Sequence, residues 1–431
     1  MKNTAAFSIN NINEFKIKML NWANRFSIFC LLDNHQYLPI PIGIEKPAFE
    51  CLLGAGCKKN IVATAGNAFS ELKKFSNKNN SWLFGHFGYD LKNEVEQLQS
   101  GNFDGIDFPD LHFFEPEIVL QLNNDGLVIY TDLDAGKIFT EINNSIADEY
   151  SETKKSTAIH SRFTKQEYIA SVERLREHIL RGDCYEINFC QEFFADNAVI
   201  SPLVVYQNLS AASPNPFSAL YKLNDKYCIC ASPERYLQKT GSTIISQPMK
   251  GTSRRSIADA QTDILNMQYL INSEKEKSEN VMVVDLVRND LSKVCEKGSV
   301  KVKELFGVYS FPQVHQMIST VCGTVKDGTD WVDIIRATFP MGSMTGAPKK
   351  RVMQLIEQYE KTKRGLYSGT VGYVKPNRDF DFNVVIRSVL YNSTRNYLSY
   401  QAGSAITYNS NATDEYNECL LKVAALSTAL Q

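Results

Sequence analysis

The sequence predicts an α+β fold in which mainly antiparallel sheets carry helices packed on the outside. Three observations lead there. Apolar runs at 220–223 and 226–231 are separated only by Asn224-Asp225, which is hairpin spacing and too short for the crossover that joins parallel strands. Helical patterns fall between groups of strands instead of alternating with each strand, so few βαβ units can form. The 431 residues are 43% hydrophobic and 22% charged, the balance of an ordinary globular chain with a sizeable core.

Residues 1–155 mix strand-like runs at 26–32, 81–89, 117–122 and 127–131, the last two joined by the turn signal Asn124-Asp125-Gly126. This stretch reads as a β-rich N-terminal region. The polar segment from Asp148 to Thr157 has no periodicity and marks the boundary to a second domain over 156–431. There Thr164 and Glu167 form a capping box, and Ile169, Val172, Leu175 and Ile179 keep helical spacing until Gly182. In the strand over 184–191, Tyr185, Ile187 and Phe189 share one face, with Glu186, Asn188 and Cys190 on the other. A strand at 244–247 follows the 220–231 hairpin, and helices are expected near 259–291, 330–338, 348–360 and 413–429.

Several function classes are excluded at this level. A net charge of −2 provides no field to gather nucleic acid. Ten scattered cysteines form no CxxC pair and no Cys/His zinc spacing, so they read as reduced thiols of a cytoplasmic protein. Residues 1–7 run into the polar stretch 10–16 without a secretory h-region, and no apolar run reaches the roughly 18 residues of a membrane span.

Glu276 and Glu279 stand at i, i+3, and Glu415 and Glu418 repeat that spacing. Each pair shares a helix face, and carboxylates on facing helices hold a hard cation such as Mg²⁺, which keeps positions open for an anionic substrate. The spacing equally suits a solvated face, since Lys275 and Glu279 are an i, i+4 pair. Lys250 ends an apolar strand and precedes Gly251 and Thr252. It is a nucleophile if its surroundings free the amine, and an idle strand-end lysine otherwise. The loop Gly342-Ser343-Met344-Thr345-Gly346 enters a helix with Pro348 in its first turn, offering backbone N–H groups to an anion, or serving simply as a helix entry. It lacks the GxxxxGK[ST] pattern, so nucleotide binding is not expected. Arg387 closes an apolar strand, where a guanidinium meets an anion. Glu234 can pair with its neighbour Arg235, and His315 alternates with apolar residues as a core histidine does.

Taken in order, Ser232-Pro233-Glu234-Arg235, Lys250-Gly251-Thr252, Val-Asp-Leu-Val-Arg-Asn-Asp-Leu at 284–291, Thr345-Gly346-Ala347-Pro348-Lys349, Arg364-Gly365, Gly372-Tyr373, Ile386-Arg387 and Ala402-Gly403 resemble the anthranilate synthase and aminodeoxychorismate synthase component I family of chorismate-utilising enzymes. The match is dense over roughly 160–430 and weak before it, through Leu31-Leu32-Asp33 and Gly85-His86-Phe87-Gly88-Tyr89. The resemblance implies two large, mainly antiparallel sheets in a layered sandwich, with a component I-like N-terminal region and a chorismate-binding catalytic domain. It implies Mg²⁺ on Glu276, Glu279, Glu415 and Glu418, and the enolpyruvyl carboxylate on Tyr373 and Arg387. Gly251, Thr252, Ser343 and Gly403 fall at substrate-binding positions, and Glu234, His315 and Thr345 at catalytic ones, Glu234 as general acid/base.

Lys250 separates the branches. Pro248-Met249-Lys250-Gly251-Thr252 is similar to the Pro-Ile-Lys-Gly-Thr of the aminodeoxychorismate branch, whereas the anthranilate branch has alanine there. The implied activity is amination of chorismate to 4-amino-4-deoxychorismate, for 4-aminobenzoate and folate, without pyridoxal phosphate. Ammonia would come from a partner glutamine amidotransferase, since no Cys-centred amidotransferase domain is apparent in the chain. Anthranilate synthase component I is the enzymatic alternative, and a non-catalytic chorismate or amino-acid binder the other. Glu186 stands where the isochorismate branch carries a water-activating lysine, a role a glutamate cannot take, and where the family commonly has glutamine. Ser404, Ala405 and Cys419 depart from the family pattern, and Asp33-Asn34 departs from the Glu-Ser associated with tryptophan binding, so tryptophan feedback is not expected.

Overall fold

The strand Ile28–Asp33 shows how the chain builds its layers. Period-two geometry sends Ile28 and Cys30 into one core and Phe29 and Leu31 into another, and all four are buried. Such a strand lies inside a sheet covered on both faces. The computed structural model describes every residue except 1–2, 38–48, 79, 147–157, 257 and 312. Among the described residues there are two large sheets, of 12 and 10 strands, and their pairings are antiparallel.

The first sheet runs, in order, Asn3–Phe7, Gly126–Thr131, Ile118–Asn123, Cys51–Ala55, Ile28–Asp33, Phe217–Leu223, Lys226–Ser232, Ser388–Asn392, Tyr397–Ile406, Glu186–Ala195 and Gly346–Ala347, with His160–Ser161 beside Glu186–Ala195. The second runs Met249–Arg254, Val314–Thr324, Thr243–Ser246, Arg235–Thr240, Phe380–Asn383, Thr370–Val374, Leu83–Phe87, Leu111–Glu115 and Lys59–Ala63, and Lys301–Ser310 also pairs with Val314–Thr324. Strands from before and after residues 147–157 share both sheets: Ile28–Asp33 pairs with Phe217–Leu223, and Leu83–Phe87 with Thr370–Val374. The boundary expected at 148–157 lies outside the described residues.

One core fills the space between the sheets, where Tyr221, Cys228 and Cys230 of the first meet Phe113, Tyr236 and Phe382 of the second. The outer face of the first sheet is covered by the helices Ile12–Ala23, Ala135–Asn143, Pro202–Ala212 and Ala412–Ala429, through Met19, Ile138, Leu203 and Val423. A third cluster packs Val172 and Leu175 with Val352 and Leu355 against Ile187 and Phe189. Each fully buried aliphatic side chain contributes about 1.5–3 kcal/mol. This is the expected helices-outside sandwich.

The local signals are realised with one difference. The capping box forms, the Thr164 hydroxyl accepting from the Glu167 N–H and the Glu167 carboxylate from the Thr164 N–H at 2.8 Å, and the helix runs Lys165–Leu180. The helix expected over 259–291 is two, Ala260–Asn272 and Glu274–Val294. Ser273 adopts an extended conformation between them and its hydroxyl accepts from the Glu276 N–H, so a serine inside an apolar pattern acts as a new N-cap. Glu276 and Glu279 thereby fall in the first two turns of the second helix. All ten cysteines are free. No helix among the described residues is long and apolar enough to cross a membrane.

Candidate active site

The strand Met249–Arg254 is where the chemistry begins. Met249 stands opposite Ile318 and Thr252 opposite Gln316, so Lys250 and Gly251 together face the single residue Met317 across the ladder. That is a β-bulge, and Gly251 supplies its left-handed residue with φ 88°. A Cβ there would sit 3.0 Å from a Glu276 carboxylate oxygen. The bulge breaks the strand's alternation and turns Lys250 into a cavity of about 740 Å³. Its walls are the helices Glu274–Val294 and Ala412–Ala429, the strand Tyr397–Ile406, and the loop carrying Ser343 and Met344.

Glu276, Glu279, Glu415 and Glu418 all line this cavity, as do Glu234, Ser343, Gly251, Thr252, Arg387 and Gly403. Gly403 is there for want of room: a Cβ would lie 2.4 Å from Cys190 Sγ. Glu234 does not pair with its neighbour, because Arg235 is bonded to Asp381 and Gln247. Burial pushes the Glu234 carboxyl up to about 7, against the Ser343 hydroxyl and the nearby Lys250 charge, which act to lower it. Arg387 adopts φ 50°, a left-handed conformation that costs an ordinary residue about 1–2 kcal/mol. Burial lowers its guanidinium to about 10, and among the described residues it makes no ion pair. A desolvated fork that makes no ion pair within the protein is suited to receive a ligand anion.

Lys250 is buried, and burial alone would lower its value. The Glu186 carboxylate, 2.7 Å from Nζ, outweighs that with help from Glu279, and Lys250 is held above the ordinary lysine range, as an ammonium. Glu279 is pushed up to about 8 by burial, and among the described residues its Oε1 has no hydrogen-bond donor. The Lys275 ammonium stands 3.5 Å from Glu415 Oε1 and 3.8 Å from Glu279 Oε1. Among the described residues no three acidic, His or Cys side chains gather closely enough to hold a metal ion as they stand. In donor chemistry the set still fits a hard cation: four carboxylates, one with a buried unsatisfied oxygen, and an ammonium lying between the two pairs.

Three expected site residues lie elsewhere. His315 is 1% exposed, with Nδ1 bonded to Ser310 Oγ and Nε2 to Asp263, and it does not line the cavity. Its neighbour Gln316 does, donating to the Gly251 carbonyl and accepting from the Thr252 hydroxyl. Thr345 is fully buried and its hydroxyl donates to Met341 and Gly342 carbonyls, so it shapes the loop from inside. Tyr373 packs among Phe49, Trp82 and Phe84 in the inter-sheet core, and the tyrosine on the cavity wall is Tyr367. Lys422 also lines the cavity, and its i, i+4 relation to Glu418 is the one sequence signal for it; it bonds Glu418 at 2.7 Å and the Gly403 carbonyl at 2.9 Å. Ser404 bonds Tyr168, and Asp33 takes Lys16 at 2.7 Å.

Residues 43–428 match the family model described as chorismate binding enzyme. Aminodeoxychorismate synthase component 1 of Bacillus subtilis (strain 168) is 32% identical over 362 residues, 80% of this chain and 76% of its own length. Anthranilate synthase component 1 of Saccharolobus solfataricus is 34% identical over 354 residues, 81% of this chain and 80% of its own. The crystal structure of anthranilate synthase component I from Streptococcus pneumoniae TIGR4 matches with a TM-score of 0.78 and 25% identity, covering 91% of this chain and 95% of that one.

Proposed function

Since the chain belongs to the chorismate binding enzyme family, we propose that it is the component that aminates chorismate at C4, giving 4-amino-4-deoxychorismate, with ammonia from a separate glutamine amidotransferase. Relatives named aminodeoxychorismate synthase component 1 recur at 32–35% identity over about 80% of this chain, which favours this reading over anthranilate synthase component 1, found at 34%. The observation that carries the choice is Lys250, which the bulge aims into the same cavity as Glu234.

The reaction follows from these groups. The amine of Lys250 adds at ring C2 while the ring double bonds shift and the C4 hydroxyl leaves as water with the proton of Glu234. Ammonia adds at C4, the double bonds shift back, and the C2–N bond breaks to release Lys250. Glu234 takes up the proton that the new ammonium loses. A carboxyl poised at about 7 serves both directions of that transfer near neutral pH. Glu276, Glu279, Glu415 and Glu418 would hold Mg²⁺, which would neutralise a substrate carboxylate in this acidic cavity. Arg387 and Tyr367 are the receptor for the enolpyruvyl carboxylate, in place of Tyr373. The free thiols and the absence of a membrane-length apolar helix among the described residues are consistent with a cytoplasmic enzyme.

Incubation with chorismate, Mg²⁺ and ammonium salt is expected to yield 4-amino-4-deoxychorismate, identified by mass and chromatography; anthranilate as the main product would sink the assignment. In the same assay Arg387→Lys is expected to raise the KM for chorismate about 10- to 100-fold, because a point charge replaces a two-pronged donor. A KM within twofold of the wild-type value would remove Arg387 from substrate binding.

A further inference from the structure

The bulge that aims Lys250 is made by a residue that cannot hold it. Gly251 reaches φ 88° without strain, but a glycine visits positive and negative φ about equally, so its own backbone does not fix the direction of Lys250. On the upstream side Met249 is anchored, packed with Phe311 and Ile318. On the downstream side the anchor is a single side chain. Gln316 stands opposite Thr252 across the ladder and is 4% exposed. Its Nε2 donates to the Gly251 carbonyl at 2.6 Å, and its Oε1 accepts from the Thr252 hydroxyl at 3.0 Å. Glu276 and Leu270 close in on the Gly251 α-carbon, where a Cβ would lie 3.0 and 3.2 Å from them.

We propose that Gln316 is the positioning residue for the nucleophile: its amide holds the two residues that follow Lys250 and so sets where the Lys250 amine meets the substrate ring. This rests on the amination reading. A bulge leaves its extra residue outside the regular ladder, and Gly251 is buried, where a carbonyl without a donor is costly. The Gln316 amide supplies that donor from the facing strand Val314–Thr324.

Without the amide, the Gly251 carbonyl loses this bond, and rotation about Gly251, which meets no Cβ penalty, is free to find it another partner. That rotation moves Lys250 relative to the rest of the strand, and the long side chain carries the movement to Nζ. A displacement of about 1 Å between reacting groups costs on the order of 100-fold in rate. Binding of chorismate by Arg387 and the acidic pairs does not pass through the clamp, so the effect belongs to the chemical step.

The test is Gln316→Met, which keeps the length of the side chain and removes both hydrogen-bonding ends, assayed as the full chain with chorismate, Mg²⁺ and ammonium salt. The expected result is a kcat lower by about 10- to 100-fold with the KM for chorismate within about threefold of wild type. With ammonia withheld, the folded variant should form the Lys250 adduct correspondingly more slowly. Thr252→Val removes one arm of the clamp and is expected to lower kcat about 3- to 10-fold, whereas Thr252→Ser keeps the hydroxyl and should stay within about twofold of wild type. Because both arms act through one amide, Gln316→Met with Thr252→Val should be no slower than Gln316→Met alone. A Gln316→Met enzyme with kcat within about threefold of wild type, a loss confined to KM, or a lowered Tm with adduct formation at the wild-type rate overturns the proposal. If Gln316→Met does not fold, the Thr252 variants decide: Thr252→Val at the wild-type kcat, or Thr252→Ser as slow as Thr252→Val, overturns it. The wild-type product in the same assay keeps the two readings apart: anthranilate there defeats the amination reading, whereas 4-amino-4-deoxychorismate with an unimpaired Gln316→Met defeats this one alone.

Discussion

Lys250→Ala is expected to abolish the covalent intermediate and lower ammonia-dependent turnover on the order of 10³-fold or more, since removal of a nucleophile forfeits the whole two-step route. With ammonia withheld, the wild-type protein should gain the mass of chorismate less one water, and the peptide carrying Lys250 should bear it. The variant should gain nothing. Structure supports a clean reading, because Lys250 is on a bulge whose shape depends on Gly251 and on the Gln316 side chain, so truncation leaves the strand in place. It also leaves Glu186 buried without its ammonium, an uncompensated charge, so a lowered Tm is expected alongside the lost activity. A Lys250→Ala enzyme that still aminates chorismate at close to the wild-type rate would falsify the covalent step.

Glu234→Gln should separate activity from stability in opposite directions. The variant has no proton to give to the departing hydroxyl, and turnover should fall about 10²- to 10⁴-fold. In the wild type, the group is an acid below its folded value of about 7, so the step that expels the C4 hydroxyl should be level below that pH and fall tenfold per unit above it. The variant should lack that limb. For stability the sign follows from burial: the folded value lies above the ordinary carboxyl value of 4.5, so the folded state binds this proton more tightly than the unfolded chain. Stability is therefore lost as pH rises from about 4 to about 7, and the cost at neutral pH is about 3 kcal/mol. Glutamine carries no such cost, so Glu234→Gln should unfold at a higher temperature than wild type at pH 7 and show little difference at pH 4. Equal melting temperatures at pH 7 would mean that Glu234 is not desolvated.

Several parts of this site were legible before folding. Lys250 with Gly251, the paired glutamates and the loop around Ser343 are short-range signals, in which residue type and spacing already imply a strand end, a helix face and a backbone anion site. Three residues that the resemblance implies, His315, Thr345 and Tyr373, stand apart from the cavity lining. His315 and Gln316 are adjacent, and a one-residue difference in register decides which faces the cavity. Tyr367, in the turn before the strand Thr370–Val374, lines the cavity, whereas Tyr373 on that strand does not. His315 and Tyr373 rest on the family resemblance, which assigns positions in the sequence and not the direction in which a side chain faces. The break at Ser273 was visible as a capping residue, but an apolar pattern running through it concealed the new helix start.

The α+β class, the family and the lysine that separates its branches can be read from residue identity and from periodicities within single elements. That Lys250 meets Glu186 across 64 residues of chain, that Glu234 is desolvated, and that the four glutamates share one cavity comes from the packing of distant elements. The reason is that charge state depends on what surrounds a group once water has been removed, and those neighbours are brought from strands and helices distant in sequence.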